Sequence, residues 1–136
     1  MSQPTITYRF GRHERLKSRK AIQRVFTEGH QFSHFPFRVF YIFENDQHHL
    51  QAGVGVSNRL FRRAVDRNRI KRLMREAYRL QKHELEHYLQ KSGKRISVFI
   101  LYIGKELPTH VDVYTKFTGI ITRLKKMAHE EGQSTA

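Results

Sequence analysis

R-R-A-V-D-R-N-R-I-K-R-L-M-R-E-A-Y-R, residues 62–79, is the stretch that decides the fold, because it is typical of a two-faced helix. At 3.6 residues per turn, basic residues fall on one side of such a helix and apolar residues on the other. An apolar side of this width packs on a sheet, and the basic side is left to face a polyanion. The basic side holds Arg67, Asn68, Lys71, Arg72, Arg75 and Arg79, and the apolar side holds Ile70, Leu73, Met74, Ala77 and Leu80.

The length and charge of the chain agree with that interpretation. Its 136 residues are enough for one domain with a hydrophobic core and too few for two. The 26 Lys and Arg residues exceed the 12 Asp and Glu residues, which leaves a net charge of +14 and favours a polyanionic partner. We therefore predict a single domain over residues 1–136, with flexible tails over 1–12 and 129–136.

Several functional classes are disfavoured by what the sequence lacks. Without cysteine there is no disulfide framework, no thiolate metal site and no cysteine nucleophile. No apolar run reaches 18 residues, and residues 1–12 lack the apolar core of a secretory signal. The expectation is a cytoplasmic protein that does not bind a membrane.

The segments around the basic helix predict a small sheet with helices against it. The two strands that precede the basic helix should pair as a hairpin, and the apolar strand that follows it should be central. This element order indicates an α+β fold, a two-layer α-β sandwich. The predicted elements are a helix from Ser18 to Gly29, a loop over 30–36, strands over 37–43 and 50–56, a helical break near His83, a strand over 96–103, and a last helix capped by Thr109 and Asp112.

The strand over 37–43 has apolar residues on both faces, and two interpretations remain open. Phe37 and Val39 share one face, and Arg38 and Phe40 share the other. Burial of both faces is the ordinary explanation for a central strand. The alternative is an exposed face on which unstacked bases of single-stranded RNA could lie.

One short motif resembles a catalytic site. His83-Glu84-Leu85-Glu86-His87 satisfies the H-E-x-x-H pattern of zinc proteases. The pattern arises easily by chance in a chain with nine histidines, and its neighbours are polar. We predict no metal site in the protein and no catalytic side chain.

The basic helix points instead to a nucleic acid. A solvated helix face usually mixes charges of both signs, whereas Asp66 and Glu76 are the only acidic residues between Leu60 and Lys82. Crowded like charges are destabilising unless phosphates neutralise them. RNA is the expected partner, and a helix in the major groove of DNA is the alternative.

The residues themselves carry a resemblance to a known family. The string over residues 64–79, A-V-D-R-N-R-I-K-R-L-M-R-E-A-Y-R, resembles the RNR signature of the bacterial ribonuclease P protein family. The preceding Val54-Gly55-Val56-Ser57 and the earlier Arg24-Val25-Phe26-x-x-Gly29 also fit. The resemblance extends over most of the chain, from about Leu16 to Leu124.

This resemblance implies a fold and a function. The fold is like that of domain 2 of ribosomal protein S5, with a small mixed sheet and a left-handed crossover. The implied protein binds ribonuclease P RNA and the 5′ leader of precursor tRNA, assists removal of the leader in the bacterial cytoplasm, and needs no obligate protein partner. Mg²⁺ would be held mainly by the RNA subunit, which carries the catalysis. A general RNA-binding or ribosome-associated protein is the alternative.

The resemblance also assigns roles to residues, apart from any arginine that serves as a brace within the protein. Ile22 stands where the family commonly has an aromatic residue. The implied RNA-binding residues are Arg62, Arg63, Arg67, Asn68, Arg69, Lys71, Arg72, Arg75 and Arg79, and the implied leader-binding cleft consists of Ile22, Phe26, Arg38 and Phe40.

Overall fold

The computed structural model describes residues 15–16, 18–43 and 50–133, without the side chains of 131–133. These ranges contain four helices and one four-stranded sheet. In chain order the elements are α1 (Arg19–Glu28), β1 (His30–His34), β2 (Phe37–Phe43), β3 (Leu50–Val56), α2 (Ala64–Gln81), α3 (His83–Ser92), β4 (Ile96–Tyr102) and α4 (His110–Gln133).

The strand order is β1-β2-β4-β3, so β4 is central as predicted. β4 pairs antiparallel with β2 and parallel with β3. The predicted hairpin between β2 and β3 is wrong, because β4 lies between them. β4 is apolar on nearly its whole length and is best buried between two neighbours, whereas β3 carries Gly53 and Gly55 and occupies an edge. Helices α2 and α3 form the crossover between β3 and β4, and its left-handedness stays a prediction.

The loop predicted over residues 30–36 is also wrong, because residues 30–34 form the edge strand β1. β1 forms an antiparallel hairpin with β2, in which Phe32 lies opposite Val39. Its sequence H-Q-F-S-H contains one apolar residue, and Phe32 is the one side chain of this strand that is buried. An edge strand needs only that much apolar character, so periodicity could not detect it.

The main core lies between one face of the sheet and helices α2, α3 and α4. Alternate residues of β2 and β4, such as Phe37 and Ile100, point into it and are fully buried. Phe117 of α4 meets Phe37 edge-on, with 5.2 Å between the ring centroids. This arrangement confirms the predicted α+β class.

Helix α1 covers part of the opposite face. The Ser18 hydroxyl accepts a hydrogen bond from the backbone N–H of Ala21, as expected of an N-cap. The helix is capped by Gly29, where a Cβ atom would lie 2.4 Å from the Val25 carbonyl oxygen and 2.5 Å from that of Tyr41. Only glycine allows the end of α1 to approach β2 so closely.

The remaining helix ends agree with the sequence pattern. α2 ends at Gln81 and α3 begins at His83, which confirms the break, and Gly93 closes α3 with a φ of 72°. The Thr109 hydroxyl caps α4 through the backbone N–H of Asp112. α4 extends to Gln133, so residues 129–133 are helical. The predicted tail over 1–12, the connection between the strands over 37–43 and 50–56, and residues 134–136 lie outside the described residues.

Candidate nucleic-acid interface

The outward face of α2 presents one continuous polar and cationic stripe. Steps of four, three and four residues place Asn68, Arg72, Arg75 and Arg79 on the side opposite the buried Ile70. Asn68, Arg72 and Arg75 are exposed. The stripe lines an open groove with a volume of about 430 Å³, which we call the α2 groove; its lining residues are Arg15, Asn68, Arg72, Arg75, Glu76 and Arg79.

Arg15, which precedes α1 in the sequence, also lines the α2 groove, and sequence reasoning missed it. It forms an isolated parallel bridge with Ala52 at the outer edge of β3. The backbone N–H of the next residue, Leu16, donates to the Ala52 carbonyl at 2.8 Å. No local pattern could reveal this placement, because it depends on pairing with a strand about 37 residues later.

Arg79 and Glu76 form an ion pair at one end of the groove. Arg79 Nε donates to Glu76 Oε2 at 3.2 Å, and Nη2 donates to Oε1 at 2.5 Å. The hydrogen bonds from Arg79 lower the pKa of Glu76, and the same bonds raise the pKa of Arg79. Glu76 is therefore ionised at neutral pH and offsets part of the Arg79 charge, which leaves Arg72 and Arg75 as the stronger anion attractors.

Arg67 is engaged within the protein. Its Nη1 donates to the carbonyl oxygens of Phe61 at 2.8 Å and Arg62 at 2.7 Å. These bonds tie the loop before α2 to the first turn of the helix, so Arg67 acts as a brace. Arg62 and Arg63 are exposed in that loop.

Two further basic side chains flank the stripe. Arg69 and Lys71 are each about 100° from the buried Ile70, on opposite sides of the helix. Arg69 is exposed and Lys71 is partly buried. The cationic surface of α2 is therefore wider than the groove itself.

A second surface lies on the opposite face of the sheet, beneath α1. Phe26 of α1 and Phe40 of β2 have ring centroids 4.4 Å apart, so the structure brings these two predicted residues together. Phe26 is 40% exposed and Phe40 is partly buried. Ile22 lies one turn before Phe26 and is partly buried, and Arg38 is exposed on the same face of β2 as Phe40. We call this surface the α1 cleft.

The two faces of the strand over 37–43 therefore differ in burial, and the binding of unstacked bases to the second face stays a prediction. The face with Phe37 and Val39 is buried in the main core. The face with Arg38 and Phe40 is only partly covered.

Sequence reasoning missed Phe99 in the α1 cleft. Phe99 lies opposite Phe40 in the β2–β4 register, and its ring centroid is 5.2 Å from that of Phe26. The continuous apolar run of β4 hid it, because such a run predicts burial on both faces.

The H-E-x-x-H segment forms the beginning of α3. His83 is partly buried, whereas Glu84 and His87 are exposed. Across the described residues no group of three or more His, Asp or Glu side chains is placed to hold a metal ion. Within the same ranges no helix is long and apolar enough to cross a membrane.

Comparison with known proteins identifies the family. The sequence profile of the family described as Ribonuclease P matches residues 10–125. The chain belongs to the ribonuclease P protein family. It is 40% identical over 104 residues to the ribonuclease P protein component of Porphyromonas gingivalis strain ATCC 33277, which covers 75% of this chain and 76% of that protein. It is 31% identical over 114 residues to the ribonuclease P protein component of Clostridioides difficile strain 630. That match covers 84% of this chain and 94% of the C. difficile protein.

Solved structures agree on the fold. The RNase P protein of Staphylococcus aureus superposes with a TM-score of 0.66 at 22% identity, covering 80% of this chain and 93% of that one. A mutant of the S. aureus protein, described as defective in mRNA degradation, superposes with a TM-score of 0.67 at 21% identity, covering 83% and 89%. The ribonuclease P match over 10–125 includes every residue of the α2 groove and the α1 cleft.

Proposed function

We propose that this chain binds the catalytic RNA of ribonuclease P through the α2 groove and the 5′ leader of precursor tRNA through the α1 cleft. Membership of the family makes the chain a component of a ribonuclease. The cationic stripe on α2 is the observation that carries the proposal. The division of labour between the two surfaces follows from their different chemistry.

The α2 groove suits a folded RNA backbone. The guanidinium groups of Arg72 and Arg75 present planar forks of N–H donors, which match phosphate oxygens. Asn68, one turn before Arg72 on α2, offers both a donor and an acceptor to a 2′-hydroxyl group. Arg15 widens the positive surface beyond the helix. Because these contacts are to backbone groups, they position an RNA without reading its sequence.

The α1 cleft suits single-stranded RNA. An exposed aromatic ring offers a face to any unstacked base, which makes binding tolerant of sequence, as a variable leader requires. Phe26 and Phe40 provide such rings, and Arg38 two residues away offers a charge to a neighbouring phosphate. A base-paired acceptor stem has no unstacked bases to place there.

The protein contributes charge and position, and catalysis belongs to the RNA subunit. Two polyanions repel each other, so a chain of net charge +14 can hold ribozyme and substrate together. The described residues do not fit a protein-held Mg²⁺, because Glu76 is the one carboxylate in the α2 groove and is paired with Arg79. We therefore assign the Mg²⁺ ions to the RNA and no proton transfer to the protein.

Reconstitution tests the proposal. The full chain is added to a bacterial ribonuclease P RNA at low Mg²⁺, and 5′ processing of a precursor tRNA is measured against the RNA alone. We expect faster processing and tighter substrate binding, because the protein supplies cationic charge that Mg²⁺ otherwise provides. RNA binding without enhanced processing would contradict the proposal and favour a general RNA-binding role. Preference for duplex DNA at matched salt would also contradict it.

Phe40→Ala tests the assignment of the leader to the α1 cleft. The affinity for leader-bearing precursor should fall by about 1 to 3 kcal/mol relative to mature tRNA, because a stacking ring is lost. The matched control is Phe35→Ala, which removes a 70% exposed ring in the turn between β1 and β2, outside the cleft. Equal losses for precursor and mature tRNA would return Phe40 to a purely structural role.

A further inference from the structure

The ring of Phe99 lies across the backbone of β3, where two glycines make room for it. A Cβ atom on Gly55 would lie 2.7 Å from Phe99 Cζ, and one on Gly53 would lie 3.0 Å from Phe99 Cδ2. Real Cβ atoms do not approach carbon atoms at the shorter of these distances. Any larger residue at position 55 must therefore displace the ring.

The surroundings of Phe99 place it in the α1 cleft and outside the main core. Phe40, Phe99 and Gly53 are successive register partners across β2, β4 and β3, on the face opposite the core. Phe26 stands over two of them, 4.4 Å from the Phe40 ring and 5.2 Å from the Phe99 ring. Phe99 stays partly exposed and is not a member of the buried core cluster.

The third ring extends the cleft toward β3. Phe40 and Phe26 together form its β2 side, and the Phe99 ring covers the two glycine positions of β3. The carbonyl oxygen of Leu16 lies 3.0 Å from the Cβ position of Gly53, so the cleft reaches the segment that carries Arg15. The aromatic surface therefore approaches the strand edge from which the α2 groove begins.

We propose that Phe99 is a third ring on which an unpaired nucleobase of single-stranded RNA stacks, and that Gly53 and Gly55 hold that ring in place. The inference rests on the proposed binding of the leader in the α1 cleft. A stacked base needs a flat apolar face that is accessible from solvent. The two glycines provide it by letting the ring lie along β3.

The test compares leader preference in a double-mutant cycle. Ribonuclease P is reconstituted from the full chain and a bacterial ribonuclease P RNA, and dissociation constants are measured for leader-bearing precursor and mature tRNA. Phe99→Leu should reduce the precursor preference by roughly 3- to 10-fold, because it keeps apolar volume but loses the stacking face. Phe99→Tyr keeps the ring and should keep the preference.

Gly55→Ala should reduce the same preference without touching the ring chemically, because its Cβ displaces Phe99. Combined with Phe99→Leu, it should add little further loss, since both changes remove the same stacking surface. Gly119→Ala is the matched control: its Cβ would meet the His34 ring at 2.5 Å, away from the cleft. It should leave the preference unchanged. Thermal melts of each variant check that it folds. If Gly55→Ala does not fold, the comparison of Phe99→Leu with Phe99→Tyr still tests the stacking role of Phe99.

Three results would contradict the inference, each in a distinguishable way. If Phe40→Ala lowers the precursor preference but Phe99→Leu does not, Phe99 is structural and the proposed leader site stands. If neither change alters the preference, the leader site itself fails and the third ring fails with it. Additive losses from Gly55→Ala and Phe99→Leu would refute the role of Gly55 in placing the ring.

Discussion

At the scale of single residues, the arginines of α2 differ in what they contact. Arg67 is bound to two carbonyl oxygens of the preceding loop, and Arg79 is paired with Glu76. Arg72 lines the α2 groove and is exposed. Residues that are equivalent in the sequence motif should therefore have unequal effects on RNA binding.

Arg72→Ala should weaken binding to the ribonuclease P RNA and reduce the slope of log affinity against log salt by roughly 1, because one phosphate contact is lost. Binding isotherms at several salt concentrations measure this slope. Arg67→Ala is the contrasting variant: the free energy of unfolding should fall by about 1 to 2 kcal/mol as the brace is lost, and the salt slope should change little. An unchanged slope for Arg72→Ala would remove it from the phosphate contacts.

His34 should make stability depend on pH. Burial, followed by the positive charges of Arg123 and Lys116 on α4, lowers the pKa of His34 below its ordinary value of about 6.5. The unfolded chain then binds a proton before the folded chain does, so stability is full above about pH 6.5 and falls as the pH drops below it. His34→Gln should flatten this part of the curve of unfolding free energy against pH. A curve that keeps its shape would show that other groups cause the dependence.

At the scale of elements, α1 determines whether the cleft exists. The helix is short and depends on its caps and on packing, because ten residues are too few to be stable alone. Val25 is its one fully buried side chain, and Gly29 brings its end against β2. A change at Gly29 should therefore affect the cleft as well as stability.

Gly29→Ala should lower the free energy of unfolding by about 1 to 3 kcal/mol, because the new Cβ would press on two backbone carbonyl oxygens that cannot move aside. Chemical denaturation measures the loss. Gln23→Ala, on the exposed face of the same helix, should stay within about 0.5 kcal/mol of the parent. Equal stability of the two variants would contradict the close approach at Gly29.

At the scale of the whole molecule, α4 packs both on the other core helices and on the edge strand β1. It packs on α2 and α3, and its Arg123 lies 4.1 Å above the Phe32 ring of the edge strand and donates to the Ser33 carbonyl oxygen. Phe117, in the first half of α4, is fully buried against Phe37. The core face of the sheet is therefore closed by an element that follows it in sequence.

Phe117→Ala should lower the free energy of unfolding by about 3 to 5 kcal/mol, because it opens a cavity under α4. That is a large share of the stability of a domain of this size. Val111→Ala on the same helix should have little effect, because Val111 is 70% exposed. The denaturant midpoints of the two variants measure the difference in stability. Similar midpoints would contradict the prediction that Phe117 contributes strongly to the packing of the core.

The sequence by itself determined what depends on local periodicity and charge. The helix over 64–81 with its polar and cationic stripe, the caps at Ser18 and Thr109, and the strand over 50–56 follow from spacing and capping chemistry. Tertiary structure alone decided which strands pair, because hydrophobic patterns specify a strand but not its neighbour. It inserted β4 between β2 and β3 and added β1 at the edge. It also brought Arg15 to the α2 groove and laid Phe99 over Gly53 and Gly55. These placements depend on contacts between residues far apart in the chain, and no local pattern records such contacts.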